Sequence, residues 1–293
     1  SKKKPVTYCG YETSGEIHLG HLVTLTKLLD MEKAGFHVKI LLADWHAWVN
    51  KKGSWDELKK FTEMNKKAMS KLGFKDPEFV VGTSFQRTAE YFDDILTMAL
   101  HTSLNRALRS MQETARDIDN ATVSQMVYPL MQIADIKHLK VDVAEAGIDQ
   151  RKIHMLSREI LEQVNYKKPA LVHTPIITAL TGPGTKMSSS APNSMISVRD
   201  SAETIKAKIS KAYCPEADAK ENPILQITQL IVFPRIESFD VKRPEKFGGN
   251  ASFANYAELE KAFVEKKLHP MDLKSALTGY LAEILEPVAK AFL

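Results

Sequence analysis

Two histidines three residues apart, His18 and His21, flank Gly20 at the end of the stretch Y-C-G-Y-E-T-S-G-E-I-H-L-G-H that runs from Tyr8 to His21. On a helix that spacing puts both imidazoles on one face, where their ring N–H groups can donate to an anion. A short apolar run, residues 5–8, reaches a turn rich in Gly, Ser and Thr and then helical spacing that begins near His18. This is the order in which a parallel strand delivers its C-terminal end to a ligand-holding loop and a helix N-terminus. Such an N-terminus holds anions readily, and Gly20 leaves no side chain to keep a nucleotide away. Taken alone, the two histidines also fit ordinary caps or core residues. A second stretch, Thr185-Lys186-Met187-Ser188-Ser189-Ser190, follows Gly182, Pro183 and Gly184 late in the chain and sets a lysine and three hydroxyls on a mobile loop. A lysine can neutralise phosphate oxygens, and the serines add hydroxyl and backbone donors.

A third constellation lies in the segment V-Y-P-L-M-Q-I-A-D-I, residues 127–136. If it is helical from Pro129, then Tyr128, Gln132 and Asp135 fall at spacings of four and three and converge on one small ligand. A carboxylate and an amide in so apolar a segment need partners, because leaving each unpaired costs about 1–3 kcal/mol. A phenol is one natural partner, since Asp135 can accept its hydroxyl hydrogen. A network among core side chains is the other.

These groups need a scaffold, and the rest of the text supplies one. Short apolar runs at 38–42, 78–82, 141–144 and 171–174 read as strands, and helical patterns separate them. In residues 54–71, Trp55, Leu58, Phe61, Met64 and Met69 form an apolar stripe, predicting a helix packed on a sheet. The segment 101–115 carries Leu104, Leu108 and Met111 on one side and Asn105, Arg106, Arg109 and Glu113 on others, as an insert between sheet halves would. Beyond the Lys186 loop the texture turns helical, at 202–213, 222–232 and 256–293, with 234–249 irregular. The expectation is an α/β catalytic domain over residues 1–200, built on a Rossmann-like parallel sheet with a connective insertion at about 84–125. A small helical domain follows over 201–293. The 293 residues carry a net charge of +4, with 44% hydrophobic and 26% charged residues, which permits a polyanionic partner. No run is long and apolar enough for a membrane span, no secretory h-region follows the basic start, and two cysteines build no disulfide scaffold. A cytoplasmic protein with no membrane partner is expected.

H-L-G-H at residues 18–21 together with K-M-S-S-S at 186–190 resembles the two signatures of class I aminoacyl-tRNA synthetases, and the surrounding text is similar to the tyrosyl-tRNA synthetases of archaeal and eukaryotic type. The likeness runs from about Thr7 to the end. It implies a ligase that joins L-tyrosine to ATP, giving tyrosyl-adenylate and pyrophosphate, and then transfers the tyrosyl group to tRNA(Tyr). In that frame His18, His21, Lys186, Ser188, Ser189 and Ser190 are catalytic, and Gly10, Gly20, Gly147, Asp149 and Met187 line the ATP site. Tyr8 and Asp135 hold the substrate hydroxyl, Leu41 and His46 line the pocket, and Tyr128, Gln132 and Gln150 surround the ammonium end. Arg109 and Arg151 face the tRNA acceptor end, and Phe247, His269 and Asp272 read the anticodon. Residue types alone make Arg109 a solvated charge, Phe247 core and His269 a cap. The resemblance further implies a homodimer, ATP with Mg²⁺ as the substrate complex, and no tightly bound cofactor or protein-held metal. Two departures stand out: Ala191-Pro192-Asn193 occupies the place of a common Lys-Gly-Asn, and Ala146 that of a common glycine. The first removes a basic residue and stiffens the loop, which predicts weaker ATP binding or altered closure.

Overall fold

A computed structural model describes residues 4–112, 122–189 and 191–293. Ser190 and residues 113–121 of the expected insertion lie outside the described residues. The chain divides into two compact units, one of residues 1–15 and 27–175, the other of residues 16–26 and 176–293.

The first unit holds β1 (Val6–Tyr11), the second half of α1 (Leu19–Lys33), β2 (His37–Leu42), α2 (Asp44–Val49), α3 (Trp55–Met69) and β3 (Glu78–Val81). It continues with α4 (Ala89–Leu100), α5 (Leu104–Met111), α6 (Val123–His138), β4 (Val143–Gly147), α7 (Arg151–Ile160) and β5 (Ala170–Thr174). The strands form one parallel sheet in the order β3-β2-β1-β4-β5. The order reverses between β1 and β4, and open α/β sheets receive ligands beyond the C-terminal ends of the strands at such a switch point. β1 buries five of its six residues, and Gly10 alone is exposed. Buried on both faces, such a strand shows little alternation in its sequence.

Helix α3 departs from its apolar stripe. The buried face is Leu58, Thr62, Asn65, Ala68 and Met69, while Trp55 is exposed and Phe61 and Met64 are half-buried. The two buried polar residues have work to do. Thr62 Oγ1 lies 2.9 Å from Thr13 Oγ1, and Asn65 Nδ2 donates to the Gly15 carbonyl at 3.0 Å. Together they fix the loop after β1. Trp55 instead stacks on Trp45 and Trp48 of α2, with ring centroids 5.5 Å away in each case.

Helix α6 begins six residues before Pro129, not at it. Thr122 and Gln125 form a capping box there, and the proline sits inside the helix. The pattern after Pro129 was readable, but the cap that starts the helix precedes the apolar run.

The second unit contains the first half of α1, α8 (Ala202–Lys211), α9 (Pro223–Ile227), β6 (Phe239–Val241), β7 (Ala251–Phe253), α10 (Tyr256–Val264) and α11 (Pro270–Ala291). Its helices conform to expectation. The segment expected to be irregular carries β6, which pairs antiparallel with β7, Phe239 opposite Phe253. Among the described residues no helix is long and apolar enough to cross a membrane.

Replacing Asn65 with Ala strands the Gly15 carbonyl, and a loss of about 1–3 kcal/mol in unfolding free energy is expected. Urea denaturation measures it, and an unchanged midpoint would show that the loop does not need this bond.

Candidate active site

In the first unit the deciding residue is Asp135, on α6 and 1% exposed. Its Oδ1 accepts from Gln86 Nε2 at 2.7 Å and from Tyr91 Oη at 2.9 Å, and its Oδ2 lies 3.6 Å from His46 Nε2. Burial pushes this carboxyl up to about 7, against the downward pull of the two hydrogen bonds. Gln86 Nε2 also meets His46 Nδ1 at 3.2 Å. An amide donor on Nδ1 makes that nitrogen the acceptor, so the His46 proton sits on Nε2. Nε2 is buried and has no hydrogen-bond partner among the described residues. Burial holds this imidazole neutral, with its pKa lowered to about 3.

Local structure places these groups. Asp44, opening α2, accepts from Thr83 N at 2.9 Å and from Thr83 Oγ1 at 2.6 Å, which ties the turn after β3 to the end of β2. Gly82 is required in that turn, because a Cβ would run into Gln86 Oε1 and Asp44 Oδ1. Gln86 and Tyr91 were not assigned roles from the sequence. The available signal for Gln86 was its place just past a strand's C-terminal end.

Tyr8 on β1 is 2% exposed and donates to the Gln132 carbonyl at 3.4 Å. Burial and the nearby Asp135 raise its phenol well above the usual range. Leu41 joins Tyr8 in the same buried cluster. Tyr128 meets the His46 ring edge-on, with centroids 4.9 Å apart. Burial first, then Glu12, raises the Tyr128 phenol, and Glu12 also accepts from Asn50 at 3.0 Å. Glu12 is a further neighbour that the sequence did not single out. Tyr8, Leu41, His46, Tyr128 and Asp135 are thus gathered. Gln132 and Gln150 are half-buried, the latter in the turn after β4, where the Asp149 carboxylate folds back over Gly147. Arg109 and Arg151 are exposed, on α5 and α7, two helices joined by the Arg106–Glu159 ion pair at 2.6 Å. Ala146 is buried in β4.

In the second unit the two signature stretches come together. His18 and Ser197 form an antiparallel bridge, and Leu19 N donates to the Ile196 carbonyl at 3.0 Å. Met187 lies on the other side, since a Cβ built on Gly20 would sit 3.8 Å from its Cβ. The Lys186 loop is a hairpin closed by the Thr178–Lys186 bridge and by Met187 N to Ile177 O at 3.0 Å. Gly182 at its tip has φ +106°, and a Cβ there would strike the Tyr213 ring. Lys186 is exposed, Met187 buried, and Ser188 and Ser189 half-buried.

The start of α1 departs from expectation. The space beside Gly20 is filled by His18, whose ring would lie 2.7 Å from a Cβ at that position. The helix's first amides are also all taken. Leu19 N goes to Ile196 O, Gly20 N to His18 Nδ1 at 3.0 Å, and the amides of His21 and Leu22 to His18 O. His18 N donates in turn to His21 Nδ1 at 3.2 Å. An anion here meets ring nitrogens in place of backbone amides. Both Nδ1 atoms accept, so each Nε2 carries a proton to offer. Burial, then His21, keeps His18 neutral, with its pKa lowered to about 2.

Also within this unit, Arg243 meets Asp272, one of the three residues expected at the anticodon. Its guanidinium donates to Gly249 O at 2.6 Å and Lys267 O at 2.9 Å, and lies 3.7 Å from Asp272 Oδ2. Phe247 is 59% exposed, with the Lys246 ammonium 4.9 Å from its ring centroid. His269 caps α11 through Nδ1, which accepts from Met271 N at 3.2 Å.

The pattern that defines tRNA synthetases class I (W and Y) matches residues 1–286. A tyrosine–tRNA ligase of Methanosarcina acetivorans is 50% identical over 295 residues, covering 100% of this chain and 92% of that protein. One from Methanococcoides burtonii is 52% identical over 291 residues, 98% and 90% of the two chains. The tyrosyl-tRNA synthetase of Archaeoglobus fulgidus complexed with L-tyrosine superposes with a TM-score of 0.95 at 48% identity, covering 100% and 92%.

The chain belongs to the class I tyrosyl-tRNA synthetases of archaeal and eukaryotic type.

A Pyrococcus horikoshii structure of the same family, also complexed with L-tyrosine, gives a TM-score of 0.91 at 32% identity, with 99% and 88% covered. In this synthetase the neutral state of His46 carries a pH signature. An unfolded histidine titrates near 6.5 and His46 near 3. Between those values the unfolded chain binds a proton that the native chain refuses, so the stability is complete above pH 6.5 and drains as pH falls toward 3. A His46→Gln variant is expected to lose stability less steeply on acidification, by up to about 1.4 kcal/mol per pH unit. Urea midpoints between roughly pH 6.5 and 4.5 measure this, and slopes equal to the parent's would mean that His46 protonates in the fold.

Proposed function

We propose that the synthetase is a tyrosine–tRNA ligase, activating L-tyrosine with ATP and passing the tyrosyl group to the 3′ end of tRNA(Tyr). The observation that carries the reading is the buried trio of Asp135, Gln86 and His46. A phenolic hydroxyl set there donates to Asp135 and accepts from the unpartnered His46 Nε2–H. Phenylalanine offers neither bond, and a site with such unmet groups can discriminate by roughly 10⁴–10⁵. Tyr8 joins Asp135 at the hydroxyl, Leu41 packs the ring, and Tyr128, Gln132 and Gln150 receive the ammonium end.

In the first reaction the tyrosine carboxylate attacks the α-phosphorus of ATP and pyrophosphate leaves. The carboxylate is already a nucleophile, so positioning and charge stabilisation supply the rate. His18 and His21 donate Nε2–H to phosphate oxygens as charge moves toward the leaving group. Lys186 neutralises pyrophosphate, with Ser188, Ser189 and Ser190 as further donors. ATP arrives as its Mg²⁺ complex, the ion held by the phosphates and water. Gly10, Gly20, Gly147, Asp149 and Met187 are assigned to the nucleotide. In the second reaction Arg109 and Arg151 hold the acceptor end of tRNA. Phe247 stacks an anticodon base, with His269 and Asp272 reading its edge. The catalytic domain is assigned residues 1–200 with its insertion at about 84–125, and the anticodon domain 201–293. The thiols of Cys9 and Cys214 suit a reducing cytoplasm.

ATP–pyrophosphate exchange with each of the twenty amino acids tests the activation step. Exchange with tyrosine alone is expected, falling by more than about tenfold in Lys186→Ala and losing its preference over phenylalanine in Asp135→Asn. Exchange with tryptophan and not tyrosine refutes the substrate, and none with any amino acid leaves an RNA-binding protein without catalysis.

A homodimer is supported by one face of α4. Phe92, Leu96 and Leu100, at helical spacing, are 44%, 62% and 85% exposed, and Leu104 beyond them 64%. A contiguous apolar row of this kind marks an interaction surface. A Leu96→Glu/Leu100→Glu variant is expected to sediment as a monomer where the parent sediments as a dimer, and dimers in both would place the interface elsewhere.

A further inference from the structure

Within the second unit, Glu16 stands two residues before His18 and takes part in neither the tyrosine nor the phosphate contacts described above. Its carboxylate accepts from Ser197 Oγ at 2.7 Å and from Arg199 at 2.8 Å. Ser197 is the residue bridged to His18, and its Oγ also accepts from Arg199 N at 3.2 Å. The backbone that carries His18 is therefore clamped from both sides. Ile196 and Val198 hold it by main-chain bonds to Leu19 and Ile17, while Glu16, Ser197 and Arg199 tie the side chains. The Arg199 guanidinium has a second contact, stacking 4.4 Å from the ring centroid of Phe292, the C-cap of α11. The other end of α11 is capped by His269 and carries Asp272 in its first turn. One arginine thus touches both the loop that sets His18 and the far end of the helix whose start bears the anticodon residues, 22 residues or about 33 Å away.

We propose that Arg199 is a positioning residue for the phosphate-binding histidines, acting through Glu16 and Ser197, and that Phe292 at the end of α11 fixes its orientation. The proposal rests on the ligase reading. His18 Nε2 stabilises charge only if its backbone is held, since the ring is oriented by the chain's own amides. A shift of about 1 Å in such a group can cost 10²-fold in rate. The guanidinium suits this junction because its plane can stack on a ring while its edge donates to a carboxylate. α11 then serves as part of the support for the activation step, in addition to presenting the anticodon residues.

The test is steady-state pyrophosphate exchange, with ATP and tyrosine varied separately. Arg199→Ala is expected to lower kcat/KM for ATP by about 10- to 100-fold, mostly in kcat, with the KM for tyrosine within about two-fold of the parent's. Glu16→Gln, nearly isosteric, should fall in the same direction and remains informative if Arg199→Ala does not fold. The Glu16→Gln/Arg199→Ala double variant should be no worse than the poorer single, because the two act as one unit. Arg199→Lys keeps the charge without the stacking plane and should recover part of the loss, while Phe292→Leu should lose several-fold in kcat by removing the stack. Unchanged ATP kinetics in Glu16→Gln, additive losses in the double variant, or a tyrosine KM that rises in step with that for ATP would overturn the proposal. A silent Phe292→Leu would overturn the role given to α11. A parent chain without tyrosine-dependent exchange would defeat the ligase reading and this proposal together, whereas an active parent with indifferent variants would defeat this proposal alone.

Discussion

A carboxylate can be buried only where donors meet it, and the first unit is arranged around meeting Asp135. Gln86 from the turn after β3 and Tyr91 from α4 donate to it, and His46 of α2 stands 3.6 Å away, so three separate elements converge on one side chain of α6. The arrangement is deliberately incomplete in its chemistry. His46 keeps a proton on a nitrogen with no hydrogen-bond partner among the described residues, and burial disfavours the charged imidazolium. A hydroxyl that both gives and takes would complete such a network, and a hydrocarbon edge would not. A buried donor left unmet costs stability that a ligand meeting it would return, and a site of this kind can select between ligands by that difference.

Much of this was legible before any coordinates, and the exceptions have physical reasons. The strands announced themselves because a parallel sheet covered on both faces needs unbroken apolar runs. Asp135, Gln132 and Tyr128 were visible because polar residues in an apolar helix demand an explanation. Gln86 and Tyr91 were not, since an amide after a strand and a tyrosine opening a helix are each unremarkable alone; only folding shows that both point at one oxygen. Helix α3 misled in the opposite direction. Its polar Thr62 and Asn65 went inward because the loop after β1 needed hydrogen bonds, and the tryptophan expected inside stacks on the half-buried Trp45 and the exposed Trp48. In the C-terminal unit, β6 and β7 are three residues each, too short for alternation to register.

The second unit solves a different problem, joining residues far apart in sequence. A single antiparallel bridge, His18 to Ser197, brings the loop after the serines against the start of α1, and Met187 closes on Gly20 from the other side. Main-chain bonds are suited to this because they fix the backbone without depending on which side chains occupy it. Ala191-Pro192 is accommodated just beyond the serines, in a 3₁₀ turn over Pro192–Ser194 whose last carbonyl accepts from Leu180 N at 2.9 Å. Similarly, Arg243 sits among Gly249, Lys267 and Asp272, so two separate stretches of the chain are joined by a cation that their spacing does not reveal.

The occupied amides at the start of α1 have a consequence for how binding and order reinforce each other. The positive end of the helix has been carried outward through two aromatic rings, each accepting from the chain at one nitrogen and presenting a proton at the other. When an anion draws on Nε2–H, electron density shifts across the ring and Nδ1 becomes the stronger acceptor, so the bond back to the amide tightens. An anion bound at these rings would therefore firm the first turn that presents them, so that binding and local order would rise together.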